Sequence, residues 1–384
     1  MDFIAIKMLV GDRAKYIGII VGLTFASLLI TQQLGIFVGL MTRTYGAITD
    51  LGGADVWVMD PKVQFIDDIK PLQDTELYRV RGVSGVDWAV PLYKGLLKAR
   101  LDNGAFQTCN VLGLDDASLA GGPPKMVQGR LEDLRESDAL IVDEVGAAGK
   151  LGRQETNGRI TPLKVGDTLE LNDHRGIVVG LCQVSRTFQS QPVVYTTYSR
   201  ATLFAPRERK LLSFVLVKVT PGSDPAEVCR RIHAATGMAA YTQNGFIDKT
   251  FNYYFSNTGI PANFGIAVGL GFLVGTVIAG QTFYNFTLDN LRHFGALKAM
   301  GAPNAMLLRM IVLQAVLVGV IGYGLGVGLA SVFGFLTRNS ELSFRLPWWL
   351  LFFSAAAVTM ICVLCACLSM LKVVRLEPAV VFKG

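Results

Sequence analysis

The chain has 384 residues, 51% of them hydrophobic and only 17% charged, which is too apolar for an ordinary soluble domain of this length. Its net charge of +6 does not point to nucleic acid, because the excess sits in short segments beside apolar runs. Of its cysteines, Cys109, Cys182 and Cys229 lie in the long middle segment and Cys362, Cys365 and Cys367 in the last apolar run, so a disulfide scaffold is excluded: three thiols leave at least one unpaired.

Residues 1–15 set Phe3, Ile4, Ile6, Leu9 and Val10 beside Lys7, Arg13 and Lys15. They fit an interfacial helix and an ordinary juxtamembrane tail equally well. A first span is predicted over 16–41; its apolar part is about twice the usual signal-peptide core, so it remains as an anchor. Gly18 and Gly22, then Gly35 and Gly39, have the small-xxx-small spacing that lets helices approach closely.

Residues 42–262 are predicted to form an extracytoplasmic domain with stalk ends. Strands are expected at 55–59, 86–90, 96–101 and 106–112, with a hairpin turn at Asp102-Asn103-Gly104. Residues 118–130 read as a loop, 138–142 as a strand and 145–151 as a short helix. Asn157-Gly158 punctuates the chain before a second hairpin, 161–171 with 177–181, turning over 172–176. A strand at 211–219 precedes a helix over 224–236 opened by Asp224-Pro225. An α+β lobe beside a β-rich lobe is expected. Phe246, Ile247, Thr250, Phe251, Tyr254 and Phe255 fall on one stripe of a stalk helix.

Three further spans are predicted at 263–287, 307–337 and 346–371, each long enough to cross roughly 30 Å of hydrocarbon. Gly324 and Gly328 in the third suit close packing, with bending as the alternative. The fold class is therefore an α+β membrane protein: four transmembrane helices with a large mixed α/β domain between the first and second. Charge gives the orientation. Residues 42–262 hold 25 basic and 25 acidic side chains, whereas 1–15, the 288–306 segment and the 372–384 tail hold eight basic against four acidic. Those three segments are expected in the cytoplasm, and the 338–345 loop outside.

Between the second and third spans, 288–300 reads as a helix with Leu291, Gly295 and Met300 near one face and Arg292, His293 and Lys298 on another, stopped by Gly301-Ala302-Pro303. Taken alone, this segment fits a handle gripped by another protein and a hairpin whose charge only sets topology.

Sites for chemistry are sparse. Gly149-Lys150 is followed by Leu151 and lacks the phosphate-loop spacing, so this polypeptide is not expected to hydrolyse ATP or to bind a cofactor directly. His174, His233 and His293 are far apart, and Cys362, Cys365 and Cys367 have no histidine beside them, so no metal site is expected. Asp143-Glu144 reads as a loop or helix start. The spans hold essentially no ionisable residues, which argues against a proton-coupled transporter or an intramembrane protease.

One span, a large outer domain and then three spans is a plan that resembles the FtsX-like, MacB-like permeases of ATP-binding-cassette systems. The run Leu291-Arg292-His293-Phe294-Gly295-Ala296-Leu297-Lys298-Ala299-Met300-Gly301-Ala302 is similar to that family's cytoplasmic segment, with His293-Phe294 replacing an acidic-then-hydrophobic pair. Gly53-Ala54-Asp55-Val56-Trp57-Val58, Gln128-Gly129-Arg130, Val165-Gly166-Asp167 and Arg375-Leu376-Glu377-Pro378-Ala379 resemble its other landmarks, and the first of these resembles the DevC-like branch. The resemblance implies a homodimeric inner-membrane permease with cytoplasmic termini. Its partners would be a separate ATPase dimer that binds ATP and magnesium, a periplasmic adaptor and an outer-membrane channel. The ATPase-coupling residues would be Leu291, Arg292, His293, Phe294, Gly295, Leu297, Lys298 and Met300, and the cargo lipid-like or amphipathic. A lever of the same kind that regulates a cell-wall hydrolase is the alternative.

Overall fold

The computed structural model describes residues 2–154, 160–206, 212–338 and 340–374. The expected Asn157-Gly158 turn, the first residue of the 211–219 strand and the 375–379 signature lie outside them. Two units are present: Met1–Leu40 with Gly259–Gly384, and Met41–Thr258.

The first unit is helical. Arg13–Thr44, Ile260–Asp289, Asn304–Leu336 and Trp348–Leu371 are each long and apolar enough to cross a membrane. Glycine sets how closely they pack. A Cβ on Gly22 would stand 3.0 Å from Ile278 and 3.2 Å from the backbone of Ala279, and one on Gly18 would stand 3.2 Å from Thr282, so the first helix lies directly on the second. Gly322 and Gly326 meet Leu23 and Ser27 of the first helix, and a Cβ on Gly319 would stand 2.8 Å from the Cys362 sulfur.

The glycines singled out by their spacing differ in what they face within this chain. Gly324 and Gly328 face open space, because two residues along a helix is about 200° around it, and the inward stripe runs through Gly319, Gly322 and Gly326. Gly35 and Gly39 admit the connection between the third and fourth spans rather than a helix: their Cβ atoms would strike the Phe344 ring at 2.5 Å and the Ser343 backbone at 2.7 Å. The Arg345 amide donates to the Gly35 carbonyl there at 3.0 Å.

Among the described residues the second unit has twelve strands: β1 (Val56–Met59), β2 (Val86–Arg100), β3 (Phe106–Leu114), β4 (Lys125–Gln128), β5 (Ala139–Asp143), β6 (Arg153–Gln154), β7 (Ile160–Thr161), β8 (Thr168–Leu171), β9 (His174–Gln183), β10 (Val193–Thr197), β11 (Phe214–Val219) and β12 (Ala239–Thr242). Strands β6 and β7 pair with each other in a two-stranded sheet. The rest form one sheet in the order β12-β1-β11-β2-β3-β10-β5-β9-β4, with β8 bridging β2 and β9. The two expected strands at 86–90 and 96–101 are the single strand β2. Its first half pairs with β11 and its second with β3, and Pro91 is tolerated because only β11 pairs with the strand at that point. The two lobes therefore share β2.

Both predicted hairpins form. Gly104 takes a φ of +80° at the β2–β3 turn, which places Arg100 opposite Phe106. The β8–β9 turn is shorter than expected, two residues rather than five, because Asn172 and Asp173 themselves adopt φ of +47° and +65°. Strand β4 lies inside the expected 118–130 loop, where the Gly/Pro content masks it. Pro225–Thr236 is a helix in which Asp224 accepts from the Ala226 amide, and it ends at left-handed Gly237. In helix Gln243–Asn257 the expected six-residue stripe divides: Phe246, Thr250 and Tyr254 are buried, while Phe251 and Phe255 stack on each other with Phe255 exposed.

Candidate functional site

The helix Ile260–Asp289 is closed by Asn290, whose side-chain amide donates to the Phe286 carbonyl at 2.9 Å. The next helix, Leu291–Ala299, starts at once. Its end explains the Gly301-Ala302-Pro303 signal. The Gly301 amide donates to Lys298 and the Ala302 amide to Leu297, both at 3.0 Å, with Gly301 at a φ of +95°. This six-to-one and five-to-two pairing needs a left-handed residue, and Pro303 then opens the third long helix.

The short helix has two faces. Phe294 is fully buried and Leu297 nearly so, packed with Phe283 and Phe286 of the second span and Leu307, Met310 and Ile311 of the third. Leu291 is half-buried beside them and Gly295 is buried. Arg292, His293, Ala296, Ala299 and Met300 point outward. Met300 does not share a face with Leu291 and Gly295 as expected: it caps the helix and is 76% exposed, and the apolar stripe continues through Phe294 and Leu297 at helical spacing. Phe294 fills the hydrophobic half of the family's two-residue pattern inside the core, so the departure that reaches the surface is His293.

Lys298 is half-buried, and its ammonium donates to the Val374 carbonyl at the end of the fourth span, 3.3 Å away. At the same end of the bundle Lys15 pairs with Asp289 and, at 2.9 Å, with Asp12. The hydrogen bonds from Lys15 hold the Asp12 carboxyl below the usual carboxylate range. The helix Asp2–Gly11 packs Ala5 and Leu9 into the same core. The buried Gln314 amide donates to the Ala5 carbonyl at 2.8 Å, and Arg309 pairs with Asp2 at 2.9 Å. Sequence reasoning passed over Gln314, although a lone amide within an apolar run was the available signal.

Elsewhere the titratable groups have structural work. Asp143 accepts from the Gly146 and Val193 amides, each at 2.6 Å, and burial pushes its carboxyl up. Cys109 is free, and burial pushes its thiol up to about 12. Among the described residues no three His, Cys, Asp or Glu side chains converge on a metal-sized space.

Residues 17–235 match the model of the MacB-like periplasmic core domain, and residues 249–378 that of the FtsX-like permease C-terminal region. An uncharacterized ABC transporter permease of Mycobacterium tuberculosis is 24% identical over 338 residues, 87% of this chain and 86% of the relative. One from Methanocaldococcus jannaschii is 25% identical over 214 residues, 50% of this chain and 52% of the relative. Among solved structures, the periplasmic region of MacB from Actinobacillus actinomycetemcomitans has 17% identity and a TM-score of 0.38, covering 55% of this chain and 96% of that one. The extracellular domain of the noncanonic ABC-type transporter YknZ from Gram-positive bacteria has 15% identity and a TM-score of 0.34, covering 49% and 98%.

Proposed function

The chain belongs to the FtsX-like, MacB-type ABC transporter permeases, and from that membership we propose that it drives export across the bacterial inner membrane by passing on the movement of a separate ATPase dimer. The observation that carries this reading is the two-faced helix Leu291–Ala299. Arg292, His293 and Met300 are presented outward, while Phe294 and Leu297 fix the same helix to the second and third spans. Force applied to the outer face reaches both spans, because a packed core shifts as a body rather than deforming locally.

In this reading ATP and magnesium bind in the partner, two copies of the chain assemble, and both termini are cytoplasmic. A periplasmic adaptor and an outer-membrane channel complete the route, and the cargo is a lipid-like or amphipathic molecule, as in the DevC-like branch. Leu291, Phe294, Gly295 and Leu297 transmit movement, whereas Arg292, His293 and Met300 make contact and Lys298 ties the helix to the fourth span.

Arg292→Glu and Met300→Asp test the contact face, since both positions are exposed and neither change disturbs the core. Each is expected to weaken ATPase association by about tenfold or more, as truncation of an interface anchor does, with ATP-dependent export falling in parallel. Unchanged association in both variants removes the handle assignment. Recovery of a cell-wall hydrolase in place of an adaptor and channel, after purification from membranes, would turn the reading to regulation of that enzyme.

A further inference from the structure

The helix Asp2–Gly11 is apolar apart from Asp2 and Lys7, and only one side of it is covered. Ala5 and Leu9 are buried against the third span, with Met8 half-buried beside them. The Gln314 bond to the Ala5 carbonyl and the Asp2–Arg309 pair fix that side. On the other side Phe3, Ile6 and Val10 are 68%, 38% and 46% exposed, spaced three and four residues apart so that they form one stripe. Ile4 is 41% exposed next to them. A helix in water would carry polar residues there.

Position and charge identify what covers the stripe. Only Asp12 separates this helix from the first span, which starts at Arg13, so the stripe lies where the apolar bundle meets the headgroup layer. Lys7 sits 4.8 Å from the centre of the Phe3 ring, and Arg13 is exposed; neither has an acidic partner among the described residues. Apolar side chains that insert shallowly, flanked by free cations, match the two layers of a bilayer surface that carries negative charge.

We propose that the outer face of helix Asp2–Gly11 is a binding surface for anionic phospholipid, with Phe3, Ile6 and Val10 inserted at the acyl boundary and Lys7 and Arg13 on the headgroup phosphates. The inner face joins this lipid contact to the third span through Gln314, next to the handle. The proposal requires the four apolar helices to lie in a bilayer and is independent of which protein the handle binds.

The full-length chain is reconstituted in vesicles of phosphatidylcholine with phosphatidylglycerol, one of the two brominated near the headgroup end of its chains. Phe3→Trp adds an indole whose emission is taken as the difference from the parent, and Ile6→Trp serves as a second reporter should the first misfold. The added emission is expected to be quenched by brominated lipid and not by acrylamide in the water. Quenching is expected to be stronger when the brominated lipid is phosphatidylglycerol, with local enrichment on the order of fivefold for each cation. Lys7→Gln with Arg13→Gln removes that headgroup preference while leaving the quenching itself. Quenching by acrylamide overturns the proposal, as does equal quenching by the two brominated lipids. Protection from both quenchers gives the face to a bound protein and overturns it equally.

Discussion

In the helical unit the buried Gln314 amide donates to the Ala5 carbonyl and the Ser27 hydroxyl to that of Tyr323, whereas the sheet unit buries groups that carry charge. Lys94 is almost wholly enclosed there and pairs with Asp67, whose side chain remains 42% exposed. Asp50 accepts from the Ser185 amide at 2.6 Å and its hydroxyl at 2.9 Å. The difference follows from the surroundings. A charge in hydrocarbon has no water within reach, so that unit uses neutral donors on backbone carbonyls and glycine faces that bring helices together. The sheet unit keeps one member of its ion pair at the solvent edge, which lowers the desolvation cost.

The contrast can be broken at several places. The largest effect is expected for Phe294→Ala, which empties a fully buried site between the handle and two spans and should cost about 3–5 kcal/mol. Loss of ATPase coupling at lower temperature than in the parent, with the exposed Arg292 untouched, would report it. In the sheet unit, Asp67→Ala leaves the Lys94 ammonium enclosed without its carboxylate, and a loss of about 3 kcal/mol is expected in denaturant unfolding. Lys94→Met should cost much less, because the abandoned Asp67 is already solvated. Equal losses for the two changes would remove the asymmetry argued here.

Next in size is glycine replacement in the third span. Gly326→Val forces a side chain against Ser27 and should lower thermal stability by about 1–3 kcal/mol, whereas Gly324→Val, in open space, should leave the fold intact. The smallest effect concerns acid. Burial alone would raise the Asp55 carboxyl, but hydrogen bonds from the Val219 amide and the Lys218 ammonium outweigh it and hold the group below its ordinary value of 3.8. A carboxyl depressed in the folded state contributes stability above its unfolded pKa and loses it as pH falls through the folded one. Stability should therefore decline below about pH 4, and Asp55→Asn should flatten the decline by about 1 kcal/mol.

Asp55 also gives a physical reason for one of the family landmarks. Its amide donates to Val217 and its carbonyl accepts from Gln243, while its carboxylate holds Lys218 and Val219, so one residue joins the start of β1 to β11 and to the helix after β12. The landmark was legible as a string, but its purpose was not, because the partners lie more than 160 residues away.

Composition and local pattern by themselves determined the four apolar helices, the large domain between the first two, the two hairpins and the short helix between the second and third spans. Those features depend on runs of hydrophobicity, on residues that tolerate φ > 0 and on charge beside a span, all of which act within a few residues. Tertiary structure decided which glycines face a neighbour, whether 86–100 is one strand or two, which residues of helix Leu291–Ala299 are outward, and that helix Asp2–Gly11 rests on the third span. Each of these depends on what lies across the contact. Gly324 and Gly326 are indistinguishable in sequence, and only the placement of Ser27 separates them.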